Sequence, residues 1–245
     1  MSKLIKINDS TSRDIKRIAS VEKERQRLHL PAVPIMFYKI DIYSPQGEHT
    51  LEYKFRSKSW NRNFYNYTAC LQMGLASNTG GTTFEAGKMP MKDTGNITKQ
   101  TSFIFIPRDS TYNAGDPTAF YGGAGIDTQG IVVGTGNIAE SFEHYALNAK
   151  CANGNGAGQL SYTSESVGAM TYDAPTKKLT TTLIRIFNNN SGASIIITEV
   201  GWYIKLFVSA YNFFMLSRDL LASSVEVLNA GQLTVTQTIE LTYPA

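Results

Sequence analysis

Residues 131–139 read IVVGTGNIA, a stretch that decides between two fold classes. A run of β-branched residues leads into Gly134, Gly136 and Ala139, which is the outline G-x-G-x-x-G/A of a dinucleotide-binding turn. In a β-rich protein the same letters describe a strand that ends in a turn. The residues that follow the glycines distinguish the two interpretations.

A dinucleotide fold needs a helix of about ten residues or more after the turn, and a second strand ending in Asp or Glu about 20 residues further on. Here SFEHYAL (141–147) allows only about two helical turns before the glycine-rich NGNGAG (153–158). Glu165 lies in a Ser/Thr-rich stretch, and no βαβ alternation follows. The sequence therefore predicts no cofactor, but a strand-ending turn that leads into a short helix.

The C-terminal third has a strong strand pattern. QLTVTQTIELTY (232–243) alternates apolar residues with threonines, which is typical of a half-buried strand in an antiparallel sandwich. LTTTLIRIF (179–187) alternates in the same way, with Arg185 on the face of Leu183 and Phe187. NNNSG (188–192) predicts a turn, and strands are predicted over Ser194–Tyr203 and Leu206–Leu216.

The first part of the body predicts a hairpin. FYKIDIY (37–43) and EHTLEYKFR (48–56) both alternate, and SPQG (44–47) between them is a turn signal. The aromatic segment WNRNFYNYTACLQM (60–73) fits a short helix or a strand.

Two stretches rich in Gly, Thr, Asn and Asp, residues 74–100 and 107–130, predict long loops around a short apolar strand, Ser102–Ile106. The expected fold is mainly β: an antiparallel, jelly-roll-like β-sandwich with an N-terminal helical arm and long Gly/Asn-rich loops. We expect an arm over 1–34 and a sandwich domain over 35–245. The hairpin-containing part 35–73 could instead form a small unit packed on a main sandwich at 101–245.

Basic charge is concentrated at the N-terminus. The chain has 245 residues and a net charge of +3, but residues 1–30 hold eight basic and four acidic residues, so this segment is +4 and the rest sums to −1. STSRDIKRIASVEKERQRL (10–28) predicts an amphipathic helix with a thin apolar stripe, which Pro31 and Pro34 end. Such a helix buries itself poorly alone.

We therefore expect the arm to dock on a protein partner through Arg13, Ile15, Lys16, Arg17, Ile18, Lys23, Arg25 and Arg27. A solvated helix face is the main alternative. Nucleic acid is less favoured, because Glu22 and Glu24 interleave with the bases and no aromatic residue is placed among them for stacking.

No catalytic set stands out in the sequence. Its three histidines lie outside recognisable nucleophile motifs, and His144 with Glu143 and Ser141 is a local cluster of neighbours. No His/Cys pair has zinc spacing, and Asp109 and Asp116 lack the regular spacing of calcium loops. The expectation is no metal and no enzymatic activity.

Two further expectations concern the cellular environment. Cys70 and Cys151 are far apart with no CxxC pair, which predicts free thiols in a reducing compartment, with a single disulfide as the alternative. The apolar window Ile195–Leu216 is long enough to span a bilayer, but Glu199, Lys205 and its β-branched residues favour paired strands over a membrane helix.

Several segments together resemble structural proteins of tailed bacteriophages, of the kind encoded among head, neck and tail genes. They are RSKSWNRNFYN (56–66), GIVVGTGN (130–137), SFEHYALNAKCANGNGAGQLSY (141–162), FNNNSGASIIITEVGWY (187–203), LSRDLL (216–221) and GQLTVTQTIELTYPA (231–245). The resemblance covers roughly residues 36–245 and leaves out the N-terminal arm. This chain carries Ile204–Phe214 where the pattern usually has a short link.

The resemblance implies a non-enzymatic virion component, assembled in the host cytoplasm as a tail or neck part or as a capsid decoration. Its partners would be identical subunits, in a ring or a trimer, and other virion proteins. The alternative is a carbohydrate-binding or host-adhesion module, with sugar-stacking faces on Tyr112, Phe120, Tyr121, Trp202 and Tyr211. An enzyme is the least favoured hypothesis.

Overall fold

The computed structural model of the protein describes residues 4–8, 16, 20, 21, 23–25, 27, 28, 34–73, 88–102, 120–208 and 210–243. The described part is mainly β, with several sheets. In chain order its elements are β1 (Ile5–Asn8), β2 (Ile35–Tyr43), β3 (His49–Arg56), α1 (Arg62–Met73), β4 (Lys88–Lys92), β5 (Thr98–Ser102), β6 (Gly130–Gly134), β7 (Ser161–Tyr162), β8 (Ser166–Val167), β9 (Thr171–Asp173), β10 (Lys178–Asn188), β11 (Ile195–Val208), β12 (Ala210–Val227) and β13 (Gln232–Thr242).

The strands of the described residues form three sheets. The largest has eight strands in the order β1-β3-β2-β13-β10-β7, with β8 and β9 also paired to β10. A second sheet has the order β12-β11-β6, and β4 pairs with β5 in a hairpin. Every pairing is antiparallel except that of β1 with β3, which is parallel.

The predicted alternating strands are confirmed. β2 and β3 form the expected hairpin around residues 44–47. β10 and β13 pair along their full lengths, and their alternation sends Leu183, Arg185 and Phe187 of β10 and Leu233 and Val235 of β13 into the interior. The window 195–216 belongs to the paired strands β11 and β12, as the sequence predicted. Among the described residues, no helix has the length and apolarity needed to cross a membrane.

The segment 60–73, which fitted either a helix or a strand, forms the helix α1. Its start is fixed by Asn61, whose side-chain oxygen accepts the backbone N–H of Phe64 at 3.2 Å. The amide nitrogen of Asn61 donates to the carbonyl of Met215 at 2.7 Å. One side chain therefore caps the helix and ties it to β12.

The prediction of a continuous loop over residues 74–100 is wrong, because β4 and most of β5 lie within it. The Asp93 carboxylate closes the turn between them by accepting the backbone N–H groups of Gly95 and Ile97 at 3.0 and 2.8 Å. Asp commonly stabilises turns in this way. The predicted strand Ser102–Ile106 lies outside the described residues beyond Ser102.

The prediction of one strand over Leu206–Leu216 is also wrong. Val208 and Ala210 are opposite each other in the β11–β12 pair, so the chain reverses between them. No glycine, proline or asparagine marks that reversal in the sequence, which explains why the pattern did not show it. β12 then continues to Val227, well beyond the expected end.

The predicted arm is described only in part. Ile5–Asn8 is a strand of the large sheet, in register with Leu51–Lys54, which the sequence did not predict. The described residues 16, 20, 21, 23–25 and 27 have helical backbone. The rest of the predicted helix 10–28 lies outside the described residues, so a helical arm stays a prediction.

Residues of both larger sheets contribute to one hydrophobic core, among them Tyr38, Ile40, Phe187, Ile204 and Val235. Polar side chains also join the two sheets. The Tyr38 hydroxyl lies 3.4 Å from the Ser217 hydroxyl, and the Asp219 carboxylate accepts the Ser57 hydroxyl and the Lys58 backbone N–H, each at 2.7 Å. These bonds hold the end of β3 against β12.

Asp219 makes stability depend on pH. Burial raises the pKa of its carboxyl from 3.8 to about 7, although the Ser57 hydroxyl and the Lys58 amide oppose that shift. Because the pKa is raised in the folded protein, the protonated form favours folding, and that stability is lost as pH rises toward 7. We predict that Asp219→Asn, which keeps the shape but cannot ionise, flattens the fall in the free energy of unfolding between pH 5 and pH 8.

Urea unfolding of the two proteins across this pH range measures the difference. The exposed Asp173→Asn serves as the control and is expected to follow the wild type. Parallel pH curves for wild type and Asp219→Asn would show that Asp219 is ionised throughout, contrary to this account.

Candidate functional site

A buried carboxylate lies behind the glycine turn. Glu199 of β11 is fully buried. One oxygen, Oε1, accepts the backbone N–H groups of Gly136 and Ala149 at 3.1 and 2.8 Å. The other, Oε2, accepts the N–H of Asn148 at 3.1 Å and the Nε of Arg218 at 2.7 Å. Four donors therefore surround one carboxylate.

This carboxylate explains both glycines of the motif. A Cβ at Gly134 would lie 2.6 Å from Oε1 of Glu199 and 2.5 Å from the carbonyl oxygen of Ala149. A Cβ at Gly136 would lie 2.5 Å from the same Oε1. The turn that resembles a phosphate-binding loop thus binds the Glu199 carboxylate, an anion of the chain itself.

The short helix predicted over Ser141–Leu147 is wrong: the chain there forms turns. At the end of the segment, Leu147 donates to the Tyr203 hydroxyl at 2.6 Å, and the next two residues, Asn148 and Ala149, donate to Glu199. Acceptors from β11 thus bind the N–H groups through which a helix would have continued.

Arg218 connects Glu199 to the loop at His144. Its Nη1 lies 3.1 Å from Nδ1 of His144, and its Nη2 donates to the carbonyl of Ile138 at 2.9 Å. Since an arginine only donates, Nδ1 accepts and the proton of the neutral ring is on Nε2. Burial and the positive charge of Arg218 both lower the pKa of His144, which favours this neutral form.

A second buried pair organises the residues before β6. Arg185 donates to five backbone carbonyls: those of Thr163, Gln129, Ile131, Gly123 and Ile126. Its Nη1 is 3.8 Å from Oε1 of Glu165, which accepts the N–H groups of Gly122 and Ile131. Burial raises the pKa of Glu165 to about 7, against the opposite effect of Arg185. Arg185 of β10 and Glu165 thus shape the start of β6, and Glu199 of β11 shapes its end.

No role was predicted from the sequence for the four buried charged residues, Glu165, Arg185, Glu199 and Arg218. A usable signal was present: Arg185 lies on the apolar face of its predicted strand, and Glu199 interrupts the most apolar window of the chain. A charge on a buried face requires a partner. The partner itself comes from a distant strand or loop, so no local pattern identifies it.

The residues of the predicted docking arm are partly described. Lys16, Lys23 and Arg27 are exposed, and Arg27 pairs with Glu24 at 2.6 Å. Arg25 is buried and donates to the carbonyl of Thr242, at the end of β13, at 2.9 Å. The remaining four lie outside the described residues: Arg13, Ile15, Arg17 and Ile18.

The predicted sugar-stacking residues do not share one surface in the described part of the chain. Trp202 is only 7% exposed, stacks on Phe120 with 5.5 Å between ring centroids, and donates from Nε1 to the Phe120 carbonyl. Tyr121 is partly buried against the core. Tyr211 is exposed beside the β11–β12 reversal, and Tyr112 lies outside the described residues.

Cys151 is a buried free thiol, and burial raises its pKa to about 11, so the thiol form persists at neutral pH. The side chain of Cys70 is not described, and Asp109 and Asp116 lie outside the described residues. Within the described ranges, no cluster of three or more His, Cys, Asp or Glu residues is arranged to hold a metal ion.

Comparison of the chain with protein-family models, with curated proteins and with solved structures finds no match.

We predict that Glu199→Ala lowers the free energy of unfolding by about 3–5 kcal/mol, because it leaves Arg218 buried without its counter-ion and three backbone N–H groups without an acceptor. Chemical denaturation followed by circular dichroism measures the change. The matched control is Glu226→Ala on the exposed face of β12, which should change stability little. Equal effects for the two variants would contradict a structural role for the Glu199 carboxylate.

Proposed function

We propose that the chain is a non-enzymatic structural protein of a tailed-bacteriophage particle. It assembles with copies of itself and with other virion proteins at the head, neck or tail. Its two larger sheets would form the layers of a jelly-roll-like β-sandwich, which serves as a rigid body. The N-terminal arm would supply the contact between subunits.

The observation that carries this proposal is the addition of β1 to the edge of the large sheet. Ile5–Asn8 pairs in parallel with Leu51–Lys54, and 26 residues separate it from β2. Ile5 is 58% exposed, while Ile7 is partly buried and packs against the core. Any copy of the chain offers the same backbone pairing and the same contact for Ile7, so the strand can pair with a neighbouring subunit as well as with its own.

The two larger sheets are suited to such a contact between subunits. Two other strand edges make backbone bonds to irregular chain. On the β12 edge, Leu216 accepts from Asn61 and Arg218 donates to Ser59; beside β6, Ala149 and Cys151 are bonded in the same way. Such coverage limits indiscriminate pairing at those two edges. A head-to-tail exchange of arms between identical subunits closes into a ring.

The test is a disulfide between the paired positions Lys6 and Glu52. We predict that Lys6→Cys/Glu52→Cys, oxidised in assembled particles, yields covalent dimers and higher multiples on non-reducing gels. Lys6→Cys alone controls for the native thiols and should stay monomeric. A cross-linked species that remains monomeric would show that the arm pairs only with its own body, and exchange would be excluded as the assembly contact.

A deletion tests the role of the arm in the particle. Removal of residues 1–30 is expected to reduce incorporation into particles, measured as copies per particle by quantitative mass spectrometry. Incorporation at full occupancy would show that the arm is not the anchor.

A further inference from the structure

A small cleft opens beside the loop that Glu199 holds. It encloses about 180 Å³ between the start of α1, the β4–β5 hairpin and the loop 141–147. Charged and polar side chains line it, chiefly Arg62, Lys92, Thr98, Glu143 and His144. The volume suits one ring-sized group rather than a drug-sized molecule, for which pockets of about 300 Å³ or more are usual.

The cleft offers both donors and an acceptor. Arg62 pairs with Glu143 at 2.9 Å, and both side chains are more than half exposed, so the guanidinium and the carboxylate keep bonding capacity toward solvent. The Lys92 ammonium lies 5.2 Å from the centre of the Tyr145 ring. His144 contributes the Nε2–H that remains when Nδ1 accepts from Arg218. Two cations against one anion make the lining net positive.

Two exposed aromatic rings lie next to residues of the cleft without lining it. Tyr65 and Phe142 are 47% and 52% exposed, and their ring centroids are 5.8 Å apart. Tyr65 lies one turn after Arg62 on α1, and the Arg62 backbone N–H donates to the Phe142 carbonyl at 2.9 Å. Exposed neighbouring aromatics are the type of surface that packs against an apolar face of a ligand.

We propose that this cleft binds an acidic saccharide. The ligand carboxylate would meet Arg62 and Lys92, the C–H face of the sugar ring would pack on Tyr65 and Phe142, and sugar hydroxyls would bond His144 Nε2–H and the Glu143 carboxylate. This site is independent of the arm and of the assembly role.

The mixture of donors and an acceptor favours a sugar over an acidic peptide. An acidic peptide and an acidic sugar both carry a carboxylate for Arg62 and Lys92, but the sugar adds ring hydroxyls beside it. Sugar hydroxyls both donate and accept, so a carboxylate next to cationic donors complements them. The His144 donor is fixed in place because Arg218 and Glu199 hold the ring, which makes the cleft preorganised.

The test uses the full chain and two probes: a galacturonic acid trimer and the neutral galactose trimer of the same linkage. Isothermal titration calorimetry should show tighter binding of the acidic trimer. Arg62→Gln should weaken that binding about tenfold or more through loss of a charge-assisted bond, while it changes the neutral trimer little. Tyr65→Ala should weaken both trimers, since it removes the stacking face.

Tyr172→Ala is the matched control, because Tyr172 is an exposed aromatic on β9 of the eight-stranded sheet and does not line the cleft. It should bind both trimers as the wild type does. Equal binding of acidic and neutral trimers, or no loss in either cleft variant, would overturn the proposal. Tighter binding of a triglutamate peptide than of the acidic trimer would assign the cleft to a protein segment and would equally overturn it.

Discussion

The ion pair between Glu199 and Arg218 is the interaction on which the centre of the molecule depends. Neither residue is exposed, and burying each charge alone would cost several kcal/mol. Together they satisfy each other, three backbone N–H groups, one carbonyl and one imidazole nitrogen. A loop without regular structure acquires a fixed conformation because a strand beneath it supplies the acceptor.

Arg185 is a buried charge that holds irregular chain in a similar way at the start of β6. Its guanidinium donates hydrogen bonds to five backbone carbonyls, and the Glu165 carboxylate accepts two backbone N–H groups of the same region. The edge strand of the second sheet is therefore held at both ends by charges from neighbouring elements, in addition to its pairing with β11. Such networks position loops precisely enough to build a cleft, which is why the proposed saccharide site lies against the loop that Glu199 holds.

The N-terminal strand β1 is attached by different interactions. β1 places only Ile7 partly against the core and adds a short ladder of backbone bonds, each worth about 1 kcal/mol net. In the assembly proposed above, a contact of that size is exchanged between identical subunits, whereas the core is not. The chain thus combines sheets that buried charges hold in place with an N-terminal strand that can pair with a neighbouring subunit, as the proposed assembly requires.

Much of the sheet could be predicted from the period-two patterns, because β2, β3, β10 and β13 each bury one face. The glycine turn was predicted as a strand end, but its cause was not, since Glu199 and Arg218 meet the turn only in three dimensions. The turns in place of the helix expected over residues 141–147 could not be predicted for the same reason, since the Leu147 N–H and the two that follow it bind distant side chains of β11. β1 and β4 are short strands whose pairing comes from the partner strand rather than from their own pattern.

Hydrogen exchange at the backbone amides of Gly136, Asn148 and Ala149 shows whether the Glu199 carboxylate holds the turn and the loop. All three lie in irregular chain, where amides ordinarily exchange through small local openings. If the buried Glu199 carboxylate holds them, their exchange measured by NMR will be protected to the same level as the amides of β11. Exchange at the rate of an open loop would show that the carboxylate does not hold the loop, and the account would fall.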